Sequence, residues 1–409
     1  MRKLALVLVS CIALACGQRE PAKQAAPEPP SPLTEPPLSK LDFDRDNLLN
    51  LAYGAAVVSR TAELSLESSA VHAIDGSAAT VYTTPSGGGD QTLVLALPSR
   101  SRIARVGVTV PRDAPLVPQQ VRIAASDDLH RWREVATLTP RAERTPQLVD
   151  VAPLEARYVR VDTVDRLHNN VSLSSVHAIG QPLEAPAPLQ LDGCWTINGE
   201  PARFVQRGHR LYGNVGATRV SGGIEGNVAR LMWRRGPMWG YAAVTLAPET
   251  RALTGYTWHE WYAAFAVGAA WFGQPAPCRG AAPFDDSAAQ IFERSGRLSL
   301  YGLHFDERDR LDSSDESLDG LAALLRDTLR AAPRAQLVAH EHRQATPQLD
   351  QQRTAARLAS LREALRARGI DVARIDFAAA GNAEIFDRPA VANALERLMG
   401  SSVDLVRAR

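Results

Sequence analysis

His340 and His342 stand two residues apart at the end of a run, Leu337-Val338-Ala339-His340-Glu341-His342, that reads as a β-strand. Residues two apart on a strand share a face, so both rings face the same way, as two ligands of one metal ion would. No third ligand stands at a matching spacing, and two do not close a site. His259-Glu260, set between Trp258 and Trp261, is an adjacent acid–base pair. General acid–base catalysis needs a positioned partner group, and no second carboxylate lies at a telling distance along the chain. Of the four cysteines, Cys11 and Cys16 belong to an apolar N-terminal segment, while Cys194 and Cys278 bracket a Trp- and Gly-rich stretch. In an exported chain the latter two are expected to form a disulfide, worth about 4 kcal/mol by loop closure; separately buried thiols are the other reading. The sequence offers groups suited to binding but no catalytic constellation, so the expectation is a non-enzymatic protein.

The segments that must position these groups begin with an export signal. Arg2 and Lys3 precede an apolar run over 4–15, too short to span a bilayer, that ends in small residues. The exit, Ile12-Ala13-Leu14-Ala15-Cys16-Gly17, resembles the lipobox of bacterial lipoproteins, with Ala13 where a larger aliphatic residue is usual. That resemblance implies that Cys16 is acylated and becomes the mature N-terminus, so that the chain is held to a membrane by lipid. Gly17 in place of Asp implies the outer membrane, with the protein facing the periplasm or the cell surface. Residues 1–16 are therefore read as a lipoprotein signal peptide and 17–46, rich in Pro and Ala, as a stiff tether. A net charge of +1 over 409 residues gives no global field for nucleic acid, and Lys is confined to Lys3, Lys23 and Lys40.

From 47 to 183 short β runs alternate with turn clusters, at 92–97, 103–110, 120–125, 133–138 and 156–162. Such spacing predicts a β-sandwich. The segment resembles the discoidin, or F5/8 type C, module, a jelly roll common among galactose-binding-like and carbohydrate-binding domains. The resemblance rests on Asn50-Leu51-Ala52-Tyr53-Gly54, on His72-Ala73-Ile74-Asp75-Gly76 with Thr80 and Tyr82, and on Ser126, Asp128 and Trp132. Ala156-Arg157-Tyr158-Val159-Arg160-Val161 and Val171-Ser172-Leu173 complete it. It implies a structural calcium ion beside the Asp-Gly turn, held here by Asp75 and Thr80, although Ser175 stands where relatives place a Glu ligand. Asp75-Gly76 as a simple tight turn is the other reading. Tyr53, Tyr82 and His168 are the candidate loop residues for stacking a sugar.

Residues 189–280 form a second antiparallel β domain by pattern, with hairpin strands at 202–206, 210–215, 228–233 and 241–246 joined by Gly turns. The order suggests a meander or small up-and-down barrel. Its tryptophans are expected to fill a core rather than line a ligand site.

Strand and helix alternate over 290–409, which predicts a compact α/β domain. The strands are expected at 298–305, 336–340, 374–379 and 403–406, and the helices at 317–330, 355–368 and 391–398. This part resembles the OmpA-like peptidoglycan-binding domain, through Leu300-Tyr301-Gly302-Leu303-His304-Phe305-Asp306, Leu337-Val338-Ala339-His340 and Ala355-Ala356-Arg357. The resemblance implies that Arg357 grips the diaminopimelate carboxylate of a stem peptide, with a partner Asp for the ammonium. Here His342 stands at that Asp position, Asp350 at an Asn, Arg353 at a Leu and Thr354 at a Ser. The site residues expected for peptidoglycan are thus Arg357, His342 and Asp350.

Together these readings point to an outer-membrane lipoprotein that binds peptidoglycan or another envelope glycan and helps to organise the envelope. A protein-binding C-terminal domain, or a hydrolase with its chemistry in the middle domain, are the alternatives.

Overall fold

The computed structural model describes residues 46–77, 80–87, 90–112, 116–164, 170–259, 268–278, 286–312, 315–341, 346–381 and 393–407. Cys16, the export signal and the tether up to residue 45 lie outside them.

The first module is a sandwich. Strands β1 (Ala56–Arg60), β3 (Gln91–Thr109), β6 (Gln147–Val164), β4 (Gln120–Ser126) and β5 (Arg133–Leu138) pair in that order, and β8 (Ser175–Pro182) adds to β3. A small second sheet joins β2 (Tyr82–Thr83) to β7 (Ser172–Leu173). The runs at 92–97 and 103–110 are one strand rather than two. β3 passes through register shifts between Ala96 and Ser101 and between Ile103 and Arg105, so that its first half pairs β1 and its second half pairs β8. Bulged strands that change partner in this way turn the corners of sandwiches. Ile103, Val106, Val108, Val121, Ile123, Val159 and Val161 supply the buried face that their alternation forecast.

The middle module is a closed antiparallel barrel. Strands β9 (Gly193–Ile197), β10 (Glu200–Arg207), β11 (Arg210–Val215), β12 (Thr218–Glu225), β13 (Val228–Arg235), β14 (Met238–Leu246), β15 (Leu253–His259) and β16 (Gly268–Pro275) follow one another around it. The seam between β16 and β9 is short, from Gly273↔Ile197 to Pro275↔Trp195. The Cys194–Cys278 disulfide staples it. Trp195, Phe204, Leu211, Leu231, Trp233 and Val244 pack inside. The interior is therefore a core, as expected of its tryptophans.

The outside of the barrel is also apolar. Val228, Met232, Trp239, Tyr241, Tyr256 and Trp258 share one cluster with the sandwich core and with the C-terminal domain. All described residues belong to one compact unit, Asp42–Arg409. On the sandwich side, Thr254 Oγ1 accepts from Val57 N at 2.8 Å and donates to Val57 O at 3.2 Å. Gly54, in the left-handed region at φ 97°, lies so close to Asn227 that a Cβ there would overlap its side chain.

The C-terminal module has a mixed sheet in the order β17 (Arg297–Ser299), β20 (Val403–Arg407), β18 (Ala335–His340), β19 (Ile375–Gly381). β18 and β19 are parallel, and the other pairings are antiparallel. Helices α2 (Asp315–Ala331), α3 (Pro347–Ala367) and α4 (Ala394–Gly400) connect it, and α1 (Ser287–Ser295), which the sequence pattern missed, leads in from the barrel. The strand expected over 298–305 stops at Ser299. Its continuation turns at Tyr301-Gly302, where the backbone of Tyr301 comes close enough to Gly223 of the barrel to exclude a Cβ there. α3 begins earlier than its apolar stripe, because Thr346 caps it through Leu349 N and Pro347 fits the first turn.

Candidate functional site

Two places draw the charged residues that the sequence singled out. The first is the Asp-Gly turn of the sandwich. Asp75 is 1% exposed. Its Oδ1 accepts from Ser77 N at 2.8 Å and its Oδ2 from Thr80 Oγ1 at 2.7 Å. The His72 ring places Nδ1 3.0 Å from the same Oδ2 and Nε2 2.9 Å from the Glu67 carbonyl oxygen. His72 also packs edge-on against Tyr256 of the barrel, 5.2 Å between centroids. Calcium takes six to eight oxygens, several of them anionic. Here one carboxylate is already occupied by three donors, Ser175 supplies no charge, and no metal-holding group of three His, Cys, Asp or Glu exists among the described residues. Asp75 and Thr80 are brought together in a hydrogen-bonded turn.

The aromatic candidates of this module divide. Tyr82 is 2% exposed and donates its hydroxyl to Ala62 O at 2.7 Å, and burial pushes its phenol well above the usual range. It is a core anchor. Tyr53 is exposed, on the turn that meets the barrel. His168 lies outside the described residues.

The second place is a polar cavity of about 460 Å³ where β12 and β13 of the barrel meet the C-terminal sheet. Arg353, Arg357, Asp306, Glu307, Asp312 and Glu341 line it from the C-terminal domain, and Glu225 and Arg230 line it from the barrel. Arg357 donates Nε to Asp309 Oδ1 at 2.9 Å and pairs through Nη2 with Glu341 Oε2 at 2.7 Å. Arg353 Nε lies 3.0 and 2.9 Å from the two oxygens of the same Asp309. Phe305 covers the Arg357 guanidinium at 5.5 Å. His304, also on the wall, stacks on His209 of the barrel at 4.5 Å. Burial, reinforced by the His209 ring, holds the His304 pKa below the ordinary imidazole value.

Of the residues expected to hold peptidoglycan, Arg357 alone is placed on this cavity. Asp350, 2% exposed on the first turn of α3, is not among its lining residues. His342 lies outside the described residues, so its pairing with His340 as a metal site does too. Asp309 and Glu341 were missed. Asp309 lies 44 and 48 residues before its two arginines, and nothing in its own neighbourhood announces the pairing. In the barrel, His259 packs edge-on against Trp233 at 4.8 Å and burial lowers its pKa. Glu260 lies outside the described residues.

The sandwich defines the class of this region, a discoidin-like, galactose-binding-like domain. Residues 72–161 match the family model described as NedA-like, galactose-binding domain, a span that takes in His72, Asp75, Thr80 and Tyr82. Similar solved structures include the C-terminal domain of a chitobiase from Bacteroides fragilis. It is 20% identical over 32% of this chain and 96% of its own, with a TM-score of 0.29. The family 32 carbohydrate-binding module of NanJ from Clostridium perfringens, solved with galactose, is 18% identical over 32% of this chain and 97% of its own, TM-score 0.29. A chitosan-binding module of a chitosanase/glucanase from Paenibacillus sp. IK-5, solved with chitotriose, is 23% identical over 32% and 100%, TM-score 0.29. No curated protein matches the chain.

Proposed function

We propose that this protein is a non-enzymatic, glycan-binding lipoprotein of the bacterial outer membrane. The observation that carries the reading is the match of residues 72–161 to a galactose-binding family on a complete sandwich. The sandwich is the module that engages a carbohydrate. The C-terminal cavity is a second binding site, for the stem peptide of peptidoglycan. It is lined by cationic Arg353 and Arg357 and by acidic Asp306, Glu307 and Asp312, a mixture suited to a zwitterion. Arg357 spends Nε and Nη2 on protein carboxylates, which leaves Nη1 for a ligand. Acylated Cys16 holds the chain to the membrane.

The same ion pairs favour a second reading, in which the cavity has kept its fold and charges but receives a protein partner instead. Calorimetric titration of the full chain with galactose and with chitotriose, beside retention on purified diaminopimelate-type sacculi, separates these roles. Saturable sugar binding and retention on sacculi are expected. Absence of any sugar binding overturns the glycan-binding reading of the sandwich, and loss of the chain from sacculi hands the cavity to the protein-partner reading. Cys16→Ser is expected to move the protein into the aqueous phase.

A further inference from the structure

We propose that the barrel is a working part of the C-terminal cavity, with Arg230 as the residue that positions Arg357; this rests on the reading of that cavity as a binding site. Arg230 leaves β13 on the outside of the barrel, and its side chain is 6% exposed. Its Nη2 meets Glu225 Oε2 at 2.6 Å. Its Nη1 donates to the carbonyls of Leu398, at 2.9 Å, and Ser401. The Tyr301 ring lies 4.7 Å from the guanidinium. Those carbonyls sit at the C-terminal end of α4, where the last helical acceptors have no partner within the helix. A cation there satisfies them and complements the negative end of the helix.

Ser401, fixed through its carbonyl, places Oγ 2.8 Å from Glu341 Oε1 and 2.9 Å from Arg397 O, and the carboxylate is the stronger acceptor for its one proton. Glu341 Oε2 then receives Arg357 at 2.7 Å, and Arg357 passes Nε on to Asp309. Each step from the barrel strand to the cationic wall of the cavity is thus a hydrogen bond or an ion pair. Groups in one buried polar network do not respond independently, so a change at Arg230 is transmitted to Arg357. The barrel also closes the cavity with Glu225 and Arg230 themselves. A C-terminal domain without the barrel would lose both that wall and the clamp on Ser401.

The test uses the full chain and reads Arg357 directly. Phenylglyoxal modification, followed peptide by peptide, reports how firmly each guanidinium is held, with exposed Arg366 as the internal reference. Arg230→Met removes the clamp, and Ser401→Ala cuts the step to Glu341 without touching the barrel. Both are expected to speed modification of Arg357 about fivefold, close to 1 kcal/mol of lost coupling, with Arg366 unchanged. Arg230→Lys, which keeps the charge, should restore part of the protection. Both variants are also expected to lower retention on sacculi. Unchanged Arg357 reactivity in folded Ser401→Ala overturns the inference, even if Arg230→Met fails to fold. Faster Arg357 modification in a protein that never binds sacculi upholds the positioning role and removes the peptidoglycan reading instead.

Discussion

Asp75 in the sandwich and Glu341 in the C-terminal domain are both carboxylates only 1% exposed. Their surroundings differ in kind. Asp75 closes on itself, since a backbone N–H, a threonine hydroxyl and a histidine ring take its oxygens within six residues of chain. Glu341 shares its oxygens between Ser401, 60 residues away, and Arg357, on the wall of open space. A carboxylate satisfied locally shapes a turn. One satisfied by distant partners beside a cavity holds other groups in place, and its loss is felt at long range.

That contrast breaks first at Glu341. Glu341→Ala leaves Arg357, 15% exposed, without its nearest anion, and removing one partner of a buried pair costs about 3–5 kcal/mol. Urea unfolding of the full chain should register a loss of that size, and a loss under 1 kcal/mol would mean that water or Asp309 replaces the carboxylate.

Acid sharpens the comparison from the sandwich side. His177 is buried between Thr109 Oγ1, 2.8 Å from Nε2, and the Asn47 amide, with no carboxylate to hold an imidazolium. Burial lowers its pKa from 6.5 to about 4. The ring is neutral in the folded protein and takes a proton on unfolding, so its contribution is complete above pH 6.5 and is lost as pH falls toward 4. About 3 kcal/mol is at stake over that window. Unfolding free energies measured at pH steps should follow this slope, and His177→Gln should flatten it.

The smallest effect belongs to the turn. Asp75→Asn keeps the shape but loses the charge-assisted bonds from His72 and Thr80, a cost of about 1–2 kcal/mol. Chelators should leave the melting temperature of the wild-type protein unchanged. A rise on adding calcium would show that the ion displaces the His72 ring, and the contrast drawn above would fail.

Much of this architecture was written in local patterns. Val106, Val108 and Val110 alternate because the side of the chain that they share packs into the core, and Gly208, Gly216, Gly226 and Gly236 adopt positive φ at the hairpin turns of the barrel. The pairing expected of Cys194 and Cys278 is present as a disulfide. What was not legible is what distance along the chain conceals. Val228-Ala229-Arg230-Leu231-Met232-Trp233 is apolar on both faces apart from Arg230, since Leu231 and Trp233 point inward while Val228 and Met232 meet other domains. Read alone, that run says only that a strand is buried, not by what. Arg230 looked like one more charged residue in a β segment, because its acceptors are carbonyls 168 and 171 residues further on. The strand forecast through 298–305 failed for the same reason, since the barrel backbone intervenes at Tyr301.

The apolar outer wall of the barrel bears on how such a protein can be inherited. Binding modules commonly travel between genes as self-contained units joined by polar linkers. Here Trp239, Tyr241, Tyr256 and Trp258 would face water if either neighbour were exchanged for a module of different surface, leaving a sticky patch of the kind that drives aggregation. Recombination at the boundaries visible in the sequence would therefore be selected against, and the sandwich, barrel and C-terminal domain should be retained, lost and diversified together as a single heritable block.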